Sequence, residues 1–578
     1  MHDLLIKSAR IADGTGAPAF LGDVAVKDGH IAEVGKISGQ ARRTLNADGL
    51  LLTPGWVDIH THFDGQVTWD PLLTPSIWHG VTTVVMGNCG VGFAPAAPDR
   101  HDWLLGLMEG VEDIPGTALA EGIRWGWESF PEYLDVLDAM PRAIDVAAQI
   151  GHGAVRAYVM GDRAHEDTAT PDDVAGQARI VREALAAGAA GVSTSRSLLH
   201  LDVAGELVPG TFAGEPELLA LAEAVQQAGH GVFEMTIRGI SGFDAAGPPS
   251  EIKWMHRVAK QTGCPITFLL GQAHDYPEVW RVVLDACTAA AADGAPIHPQ
   301  VFGRPTNYLF TLDGIHPFYR YPAYKEIARR PHDERVQIMR DPAFKARLLS
   351  ERDPNDDAFN NILKTAWEGS YDLSDPLDYE PDPAQCIAAQ ARAQGRAPAD
   401  LGYDKLLADD GRVVLYFTAF NYADGDLEAV REMLVHPNAV LGGSDAGAHV
   451  TYICDASVPT FMLTHWARDR SRGERLPLEW LVRKQTYDNA ALYGFADRGA
   501  IKPGLRADLN LIDFDGLRLD VPYFVHDLPA GAMRLMQKAR GYRATFVAGE
   551  MIQQDGEETG ARPGHLIRAG ASKNTERG

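Results

Sequence analysis

Amphipathic helical segments and short apolar segments alternate through the middle of the chain. In PDDVAGQARIVREALAAG, Thr170 is the predicted N-cap, Pro171 takes the first helical position and Gly188 ends the helix. The apolar segment AGVSTS follows this helix directly. The same order recurs after three further stop glycines, Gly229, Gly263 and Gly294. This alternation predicts βαβ units around a parallel sheet.

Further apolar segments extend the predicted sheet. LLLTPGWVDIH, VTTVVMGN and VAAQIGHGAV precede the repeated units, and AVLGGSD follows them along the chain. The total is about eight strands, which is the number that a (β/α)8 barrel needs. We therefore expect an α/β protein with a TIM-like (β/α)8 barrel across residues 55–497.

The two chain ends and one long internal segment depart from this pattern. LLIKSARIADG and DVAVKDGHIAEVG near the start, and ADLNLID and ATFVAGEMIQQDG near the end, read as short β-strands. We expect residues 1–54 and 498–560 to form one small β-sandwich domain, and residues 561–578 to be a frayed polar tail. Residues 310–411 are rich in Pro, Asp and Arg, which predicts a mostly helical insertion and candidate lid on the barrel's functional face.

Composition limits the classes of partner. With 578 residues, 45% hydrophobic and 23% charged, the chain has the balance of a folded globular protein. Its 53 Lys and Arg against 78 Asp and Glu give a net charge of −25, which disfavours nucleic acids and anionic membranes as partners. The start has no signal-peptide pattern, no stretch reads as a transmembrane helix, and the five cysteines are scattered. We expect a cytoplasmic protein that acts on a small molecule, and its oligomeric state stays open.

Two histidines at the end of a predicted strand are the sharpest chemical signal. His60 and His62 close the apolar segment LLLTPGWVDIH and are separated by one residue. Because side chains alternate along a strand, both imidazoles point to the same side, at the carboxyl end where such barrels carry their active sites. Neutral imidazoles are good zinc ligands. The alternative is an ordinary pair of strand-end histidines, but the position favours a metal site.

Asp445 ends another apolar strand, in LGGSDAGAH, among glycines that allow close approach to the backbone. A carboxylate there could bind the same metal and take a proton from water. A turn-forming aspartate is the alternative, and the presence of His60 and His62 favours the chemical interpretation.

Several segments together resemble the amidohydrolase superfamily. They are GLLLTPGWVDIHTHFD, GVTTVVMGNCGVGFAP, SDAGAH and GAIKPGLRADLNLID. Within the superfamily, GNCG and QIGHGAVR resemble the N-acyl-D-amino-acid deacylases, or D-aminoacylases. The resemblance implies a metal-dependent hydrolase on a (β/α)8 barrel, with a small β-sandwich built from both chain ends.

The resemblance also implies roles for individual residues. His60 and His62 match the first-strand metal ligands, Cys89 matches the cysteine that binds zinc, and Asp445 matches the aspartate that binds metal and acts as general base and acid. The chain departs from the family on the fifth strand, where Thr236 or a neighbouring residue stands in place of an expected histidine. The sixth strand has no histidine until His274, and the fourth has no lysine. We therefore expect one firm metal site, with zinc as the cofactor and other divalent metals possible.

Other polar residues near strand ends are weaker candidates. His152, Arg156 and His449 could contact the substrate or support the ligands, and each could equally be an ordinary buried polar residue. Glu234 could be a fifth-strand ligand, although a core-capping role is favoured. Any of four arginines could hold a substrate carboxylate: Arg156, Arg196, Arg238 and Arg304.

These features predict a metal-dependent hydrolase of an amide C–N bond, with an N-acyl amino acid as the expected substrate. Asp445 would serve as general base and acid with metal-activated water. Hydrolysis of a cyclic amide, as in hydantoinases and dihydropyrimidinases, is one alternative. The other is a catalytically degenerate barrel that binds a ligand. The acyl group and the preference for D or L substrates are not predicted.

Overall fold

A parallel barrel forms the centre of the protein. The computed structural model describes residues 1–165, 168–240, 242, 244–355, 357–373 and 375–570. Eight strands pair in chain order, and the sheet closes where the His62 N–H donates to the Ala446 carbonyl at 2.8 Å. The strands are Trp56–Asp58, Val81–Met86, Asp145–Gly151, Gly191–Ser195, Val232–Thr236, Ile266–Leu270, Ile297–Phe302 and Val440–Gly442. The predicted (β/α)8 barrel is therefore confirmed.

Helices between the strands cover the outside of the barrel. In Pro171–Ala187, the Thr170 hydroxyl accepts a hydrogen bond from the Asp173 N–H, and the Asp173 carboxylate accepts from Thr170. Gly188 ends this helix with a φ of +109°, which favours glycine. Outside the insertion described below, the other α-helices of the described ranges are His101–Glu112, Gly116–Gly122, Phe130–Asp138, His152–Met160, Glu215–Ala228, Gly247–Thr262, Val279–Ala292, Glu428–Val435, Val458–Phe461, Leu478–Arg483 and Asn489–Leu492.

Both chain ends build a second sheet beside the barrel. The N-terminal strand Leu51–Pro54 pairs antiparallel with the C-terminal strand Leu509–Ile512, which joins the two halves. The remaining strands are His2–Ile11, Phe20–Lys27, His30–Gly35, Ala41–Asn46, Tyr542–Val547, Glu550–Gln554 and Glu557–Glu558. Apolar side chains from both halves share one core, so the sheet folds over it. The expected β domain made from both termini is thus confirmed.

The long insertion lies between the seventh and eighth barrel strands, at the mouth of the barrel. It contains the predicted helices: Pro322–Lys325, His332–Met339, Pro342–Ser350, Ala358–Lys364, Ile387–Ala393 and Pro398–Leu406. It also contains a small antiparallel sheet that the sequence did not predict, made of Asn307–Phe310, Leu415–Thr418 and Ser370–Asp372. Within the predicted insertion, residues 356 and 374 lie outside the described residues.

Part of the segment expected to be a frayed tail binds along the amino ends of the barrel strands. The His565 carbonyl accepts from the Val146 N–H at 3.0 Å, and the Ile567 N–H donates back to Val146 at 2.7 Å. The Ala569 N–H donates to Gly188 at 2.9 Å. These bonds satisfy backbone groups at the start of the third strand and at the helix end that precedes the fourth strand, which explains the ordered path. Residues 571–578 of the expected tail lie outside the described residues.

Among the helices of the described ranges, none is both long enough and apolar enough to cross a membrane.

Candidate metal centre

His60 and His62 lie side by side at the carboxyl end of the first barrel strand. Their ring centroids are 5.4 Å apart, and both side chains are buried. Nδ1 of His60 lies 3.1 Å from the side-chain oxygen of Gln300 on the seventh strand. Because an amide oxygen only accepts, Nδ1 carries the proton and Nε2 keeps a free lone pair. Nε2 of His60 therefore faces the barrel mouth as a potential metal ligand.

Cys89 reaches the histidines from the turn after the second strand. It has a φ of +57°, a left-handed conformation, and its Sγ lies 3.4 Å from Nε2 of His60. The Asn88 amide donates to the carbonyls of Thr61 and Val85, both at 3.0 Å, and so fixes the turn. One potential ligand atom from each of His60, His62 and Cys89 lies within 4.8 Å of the others.

Asp445 completes the cluster from the eighth strand. Its Oδ1 lies 3.3 Å from Nε2 of His60 and 3.8 Å from Nε2 of His62. The neighbouring Ser444 hydroxyl donates to the His60 carbonyl at 3.0 Å and to the Asp58 carboxylate at 2.5 Å, which fastens the two strand ends together. The Asp445 side chain is 12% exposed, whereas the side chains of His60 and His62 are at most 1% exposed. Asp445 is thus the member of this group that faces the solvent.

Burial sets the protonation of these groups. It lowers the pKa of His60 to about 4 and that of His62 to about 3, which keeps both imidazoles neutral. Burial, with the nearby Glu234 carboxylate, raises the pKa of the Cys89 thiol. Burial also raises the pKa of Glu234 to about 8. Several acidic groups are therefore crowded into a space that disfavours negative charge.

The donor set fits a divalent cation. Across the described ranges, every ion-pair partner of Glu112, Glu234 and Asp445 is a histidine. Three buried atoms here have no hydrogen-bond partner: His62 Nδ1, Glu112 Oε1 and Glu234 Oε1. Neutral imidazole, thiolate and carboxylate are ligands that zinc accepts, and a cation would compensate the buried acids.

Glu234 and Thr236, both on the fifth strand, point into this centre. Oε2 of Glu234 accepts the Cys89 N–H at 2.9 Å, and Oε1 lies 3.7 Å from Nδ1 of His60. The Thr236 hydroxyl, at the position where a family histidine was expected, donates to Cys89 Sγ at 3.0 Å. The favoured core-capping interpretation of Glu234 missed this contact. Side chains alternate along a strand, so Glu234 and Thr236 lie on the same side, and this alternation could have placed Glu234 in the centre.

The weaker candidates separate into two groups. His449 belongs to the centre, since its Nε2 lies 3.7 Å from Glu112 and its Nδ1 lies 3.0 Å from the Tyr452 hydroxyl. His152 and Arg156 instead meet at Glu217, at 3.1 and 2.8 Å, in a buried group behind the fourth strand. The structure does not bring these two residues into contact with the cluster.

The remaining strand-end residues have partners of their own. Carboxylates pair with each of the other arginines considered for substrate binding, in Arg196–Glu251, Arg238–Asp244 and Arg304–Asp455. His274 contacts the Thr418 carbonyl in the insertion at 2.9 Å rather than the cluster.

Glu112 was not predicted from the sequence. It ends the helix His101–Glu112, whose buried face includes Leu104, Met108 and Val111. A carboxylate that continues an apolar helix face is unusual, and this was the signal that could have identified it.

Comparison with known proteins supports the predicted resemblance. The model of the amidohydrolase family matches residues 43–553. The D-aminoacylase of Alcaligenes xylosoxydans xylosoxydans is 37% identical, with 98% of this chain and 97% of that protein covered. A solved D-aminoacylase, described with a binuclear metal centre, superposes with a TM-score of 0.65 at 23% identity, covering 98% of this chain and 100% of that one.

A second solved structure has the same fold. N-acyl-D-glutamate deacylase from Bordetella bronchiseptica, complexed with zinc and a phosphonate inhibitor, has a TM-score of 0.64 at 23% identity. That comparison covers 98% of this chain and 100% of the deacylase. The family match and the 37% identical relative extend over most of the sequence, and so the chain belongs to the amidohydrolase family.

Proposed function

We propose that this protein is a metal-dependent hydrolase that cleaves the amide bond of N-acyl amino acids. The observation that carries the proposal is the convergence of His60 Nε2, His62 Nε2, Cys89 Sγ and Asp445 Oδ1 at the barrel mouth. The relatives named as D-aminoacylase and N-acyl-D-glutamate deacylase support this substrate class.

These four residues would hold one divalent cation, and zinc is the metal that we propose. When bound, the cation supplies a Lewis acid for the substrate carbonyl and makes a water nucleophilic at neutral pH. A single ion is proposed because the fifth strand presents Glu234 and Thr236, whereas the family resemblance implies a histidine on that strand. His274, the first histidine after the sixth strand, contacts the insertion instead.

Asp445 would move the proton. Its Oδ1 is directed at the two imidazoles, and the group is the part of the cluster open to solvent. We assign its carboxylate to accept a proton from the attacking water and to deliver that proton to the leaving amine nitrogen. His60 keeps its orientation because Gln300 holds Nδ1, and burial keeps its ring neutral.

Aromatic residues form a wall beside the site. Tyr308 of the insertion packs against Tyr452 with ring centroids 5.1 Å apart, and Tyr452 hydrogen-bonds His449. Phe359 packs on Tyr308 at 5.8 Å. Such a wall excludes water and supports a substrate with an apolar acyl group or side chain.

The proposed setting is a reducing cytoplasm with a small-molecule substrate. All five cysteines are free, and the net charge of −25 disfavours nucleic acid as a partner.

A hydrolysis screen tests the proposal. Purified protein, reconstituted with Zn²⁺ or Mn²⁺, would be assayed on N-acyl D- and L-amino acids and on cyclic amides. We expect hydrolysis of N-acyl amino acids that is lost after chelation and restored by one equivalent of metal. If only the cyclic amides were hydrolysed, the proposed substrate class would be wrong and cyclic amides would take its place. Binding without turnover of either class would support the degenerate barrel.

A further inference from the structure

Glu112 occupies an unusual position between two histidines of the site. Its side chain is 2% exposed. Oε1 lies 3.3 Å from Nδ1 of His62, and Oε2 lies 3.7 Å from Nε2 of His449. One carboxylate thus bridges the first-strand ligand and the loop that follows the eighth strand.

The backbone around Glu112 is fastened to the same loop. The Glu112 carbonyl accepts a hydrogen bond from the His449 N–H. The adjacent Asp113 carboxylate accepts from the Thr451 hydroxyl at 2.5 Å and from the Thr451 N–H at 3.3 Å. These contacts hold the end of the helix His101–Glu112 in one place, so the carboxylate is presented to His62 in a fixed position.

The energetic setting argues against a role in stabilising the fold. Within the described ranges, Glu112 has no Lys or Arg partner, and Oε1 lacks a hydrogen bond. A buried acid without a cation or full hydrogen bonding opposes folding. A residue kept at this cost is better explained by what it does to His62 than by packing.

The geometry at His62 indicates that effect. With Nδ1 facing Glu112, Nε2 faces Asp445 at 3.8 Å. When the far N–H of a metal-binding imidazole is donated to a carboxylate, the ring's tautomer is fixed and the ligand is strengthened. Glu112 Oε1, at 3.3 Å, is the acceptor within reach of His62 Nδ1 once that nitrogen carries the proton. At the equivalent atom, His60 Nδ1 faces the neutral amide of Gln300 at 3.1 Å, and the Glu234 carboxyl group lies farther away at 3.7 Å. The two neighbouring imidazoles are therefore supported unequally.

We propose that Glu112 is a positioning residue that orients His62 as a metal ligand and joins it to the His449 loop. This inference rests on the proposed metal site, and it does not depend on which amide is hydrolysed.

The test compares three variants by zinc affinity, measured by competition with a chromophoric chelator. Glu112→Ala removes the carboxylate, and Glu112→Gln keeps its shape and one accepting oxygen while removing the charge. Glu109→Gln, an exposed site on the same helix, is the matched control. We expect a 10- to 100-fold loss of affinity for the alanine variant, an intermediate loss for the glutamine variant and no loss for the control.

A second measurement separates positioning from a structural role. If Glu112 positions His62 at a cost to stability, the metal-free Glu112→Gln protein should melt at the same temperature as the parent or higher. Equal zinc affinity in all variants, or a lower melting temperature for the metal-free glutamine variant, would overturn the inference. If the expected order of affinities holds but no amide is hydrolysed, the proposed function fails and the role of Glu112 stands.

Discussion

The hydroxyl of Thr236 donates a hydrogen bond to the sulfur of Cys89 at 3.0 Å. It does so from the fifth strand, where the family resemblance led us to expect a histidine. If Cys89 is the metal ligand that we propose, Thr236 supports that ligand from the position where the resemblance implies a second one.

Replacing Thr236 with valine tests that support. Thr236→Val keeps the volume but removes the donor to Cys89, so we expect zinc affinity to fall about 10-fold and unfolding free energy to fall by about 1 kcal/mol. Thr267→Val is the matched control, because Thr267 is a buried strand residue that bonds the His298 carbonyl away from the site. Calorimetric zinc titration of both variants gives the comparison. An equal change in both would show that the Thr236 hydroxyl has no special effect on Cys89.

Asp445→Asn separates catalysis from metal binding. Because the amide cannot accept the proton from water, we expect kcat to fall by about 10²- to 10⁴-fold. Metal content should remain near one equivalent, since His60, His62 and Cys89 are unchanged. Asp275→Asn, which alters an exposed carboxylate after the sixth strand, should keep full activity. Metal analysis and steady-state kinetics make the measurement, and turnover retained in the Asp445 variant would exclude the assigned mechanism.

Local sequence rules predict the barrel and part of the metal centre, but they do not predict the contacts that other residues make with the histidines. Stop glycines and apolar periodicity predicted the barrel, and one-residue spacing placed His60 and His62 on one side. Glu112 and Gln300 were missed because their relation to the histidines depends on tertiary contacts between distant segments. Glu112 reaches His62 only because the end of its helix is hydrogen-bonded to residues 449–451. No periodicity in one segment encodes such a contact.

The pairing of Glu380 predicts how stability depends on pH. Burial raises the pKa of Glu380, but hydrogen bonds from His465 and Arg470 outweigh burial and bring the pKa down from 4.5 to about 2. A carboxyl whose pKa is lower in the folded state stabilises it above the ordinary pKa, and this contribution is lost as pH falls from 4.5 towards 2. Glu380→Gln should therefore cost about 3 kcal/mol at neutral pH, and the difference should shrink below pH 4.5.

Urea unfolding of the parent and the Glu380→Gln variant at a series of pH values measures this effect. Glu183→Gln, in an exposed helical pair with Arg179, is the control and should show a small, constant difference. A difference for Glu380 that stays constant from neutral to acidic pH would contradict the assignment.

The C-terminal segment predicts two different results from truncation. Chains ending at Pro563 lose the backbone bonds that join His565, Ile567 and Ala569 to the barrel, and they also lose the buried side chain of Leu566. We expect a loss of roughly 4 kcal/mol in unfolding free energy from the lost bonds and apolar burial. Chains ending at Gly570 keep all of these contacts and should be as stable as the parent.

Because the segment lies at the amino ends of the strands, opposite the metal centre, the shorter chain should still bind zinc at low temperature. Thermal unfolding of both truncations, with and without zinc, measures the effect, and equal stability of the two would show that residues 564–570 do not stabilise the barrel.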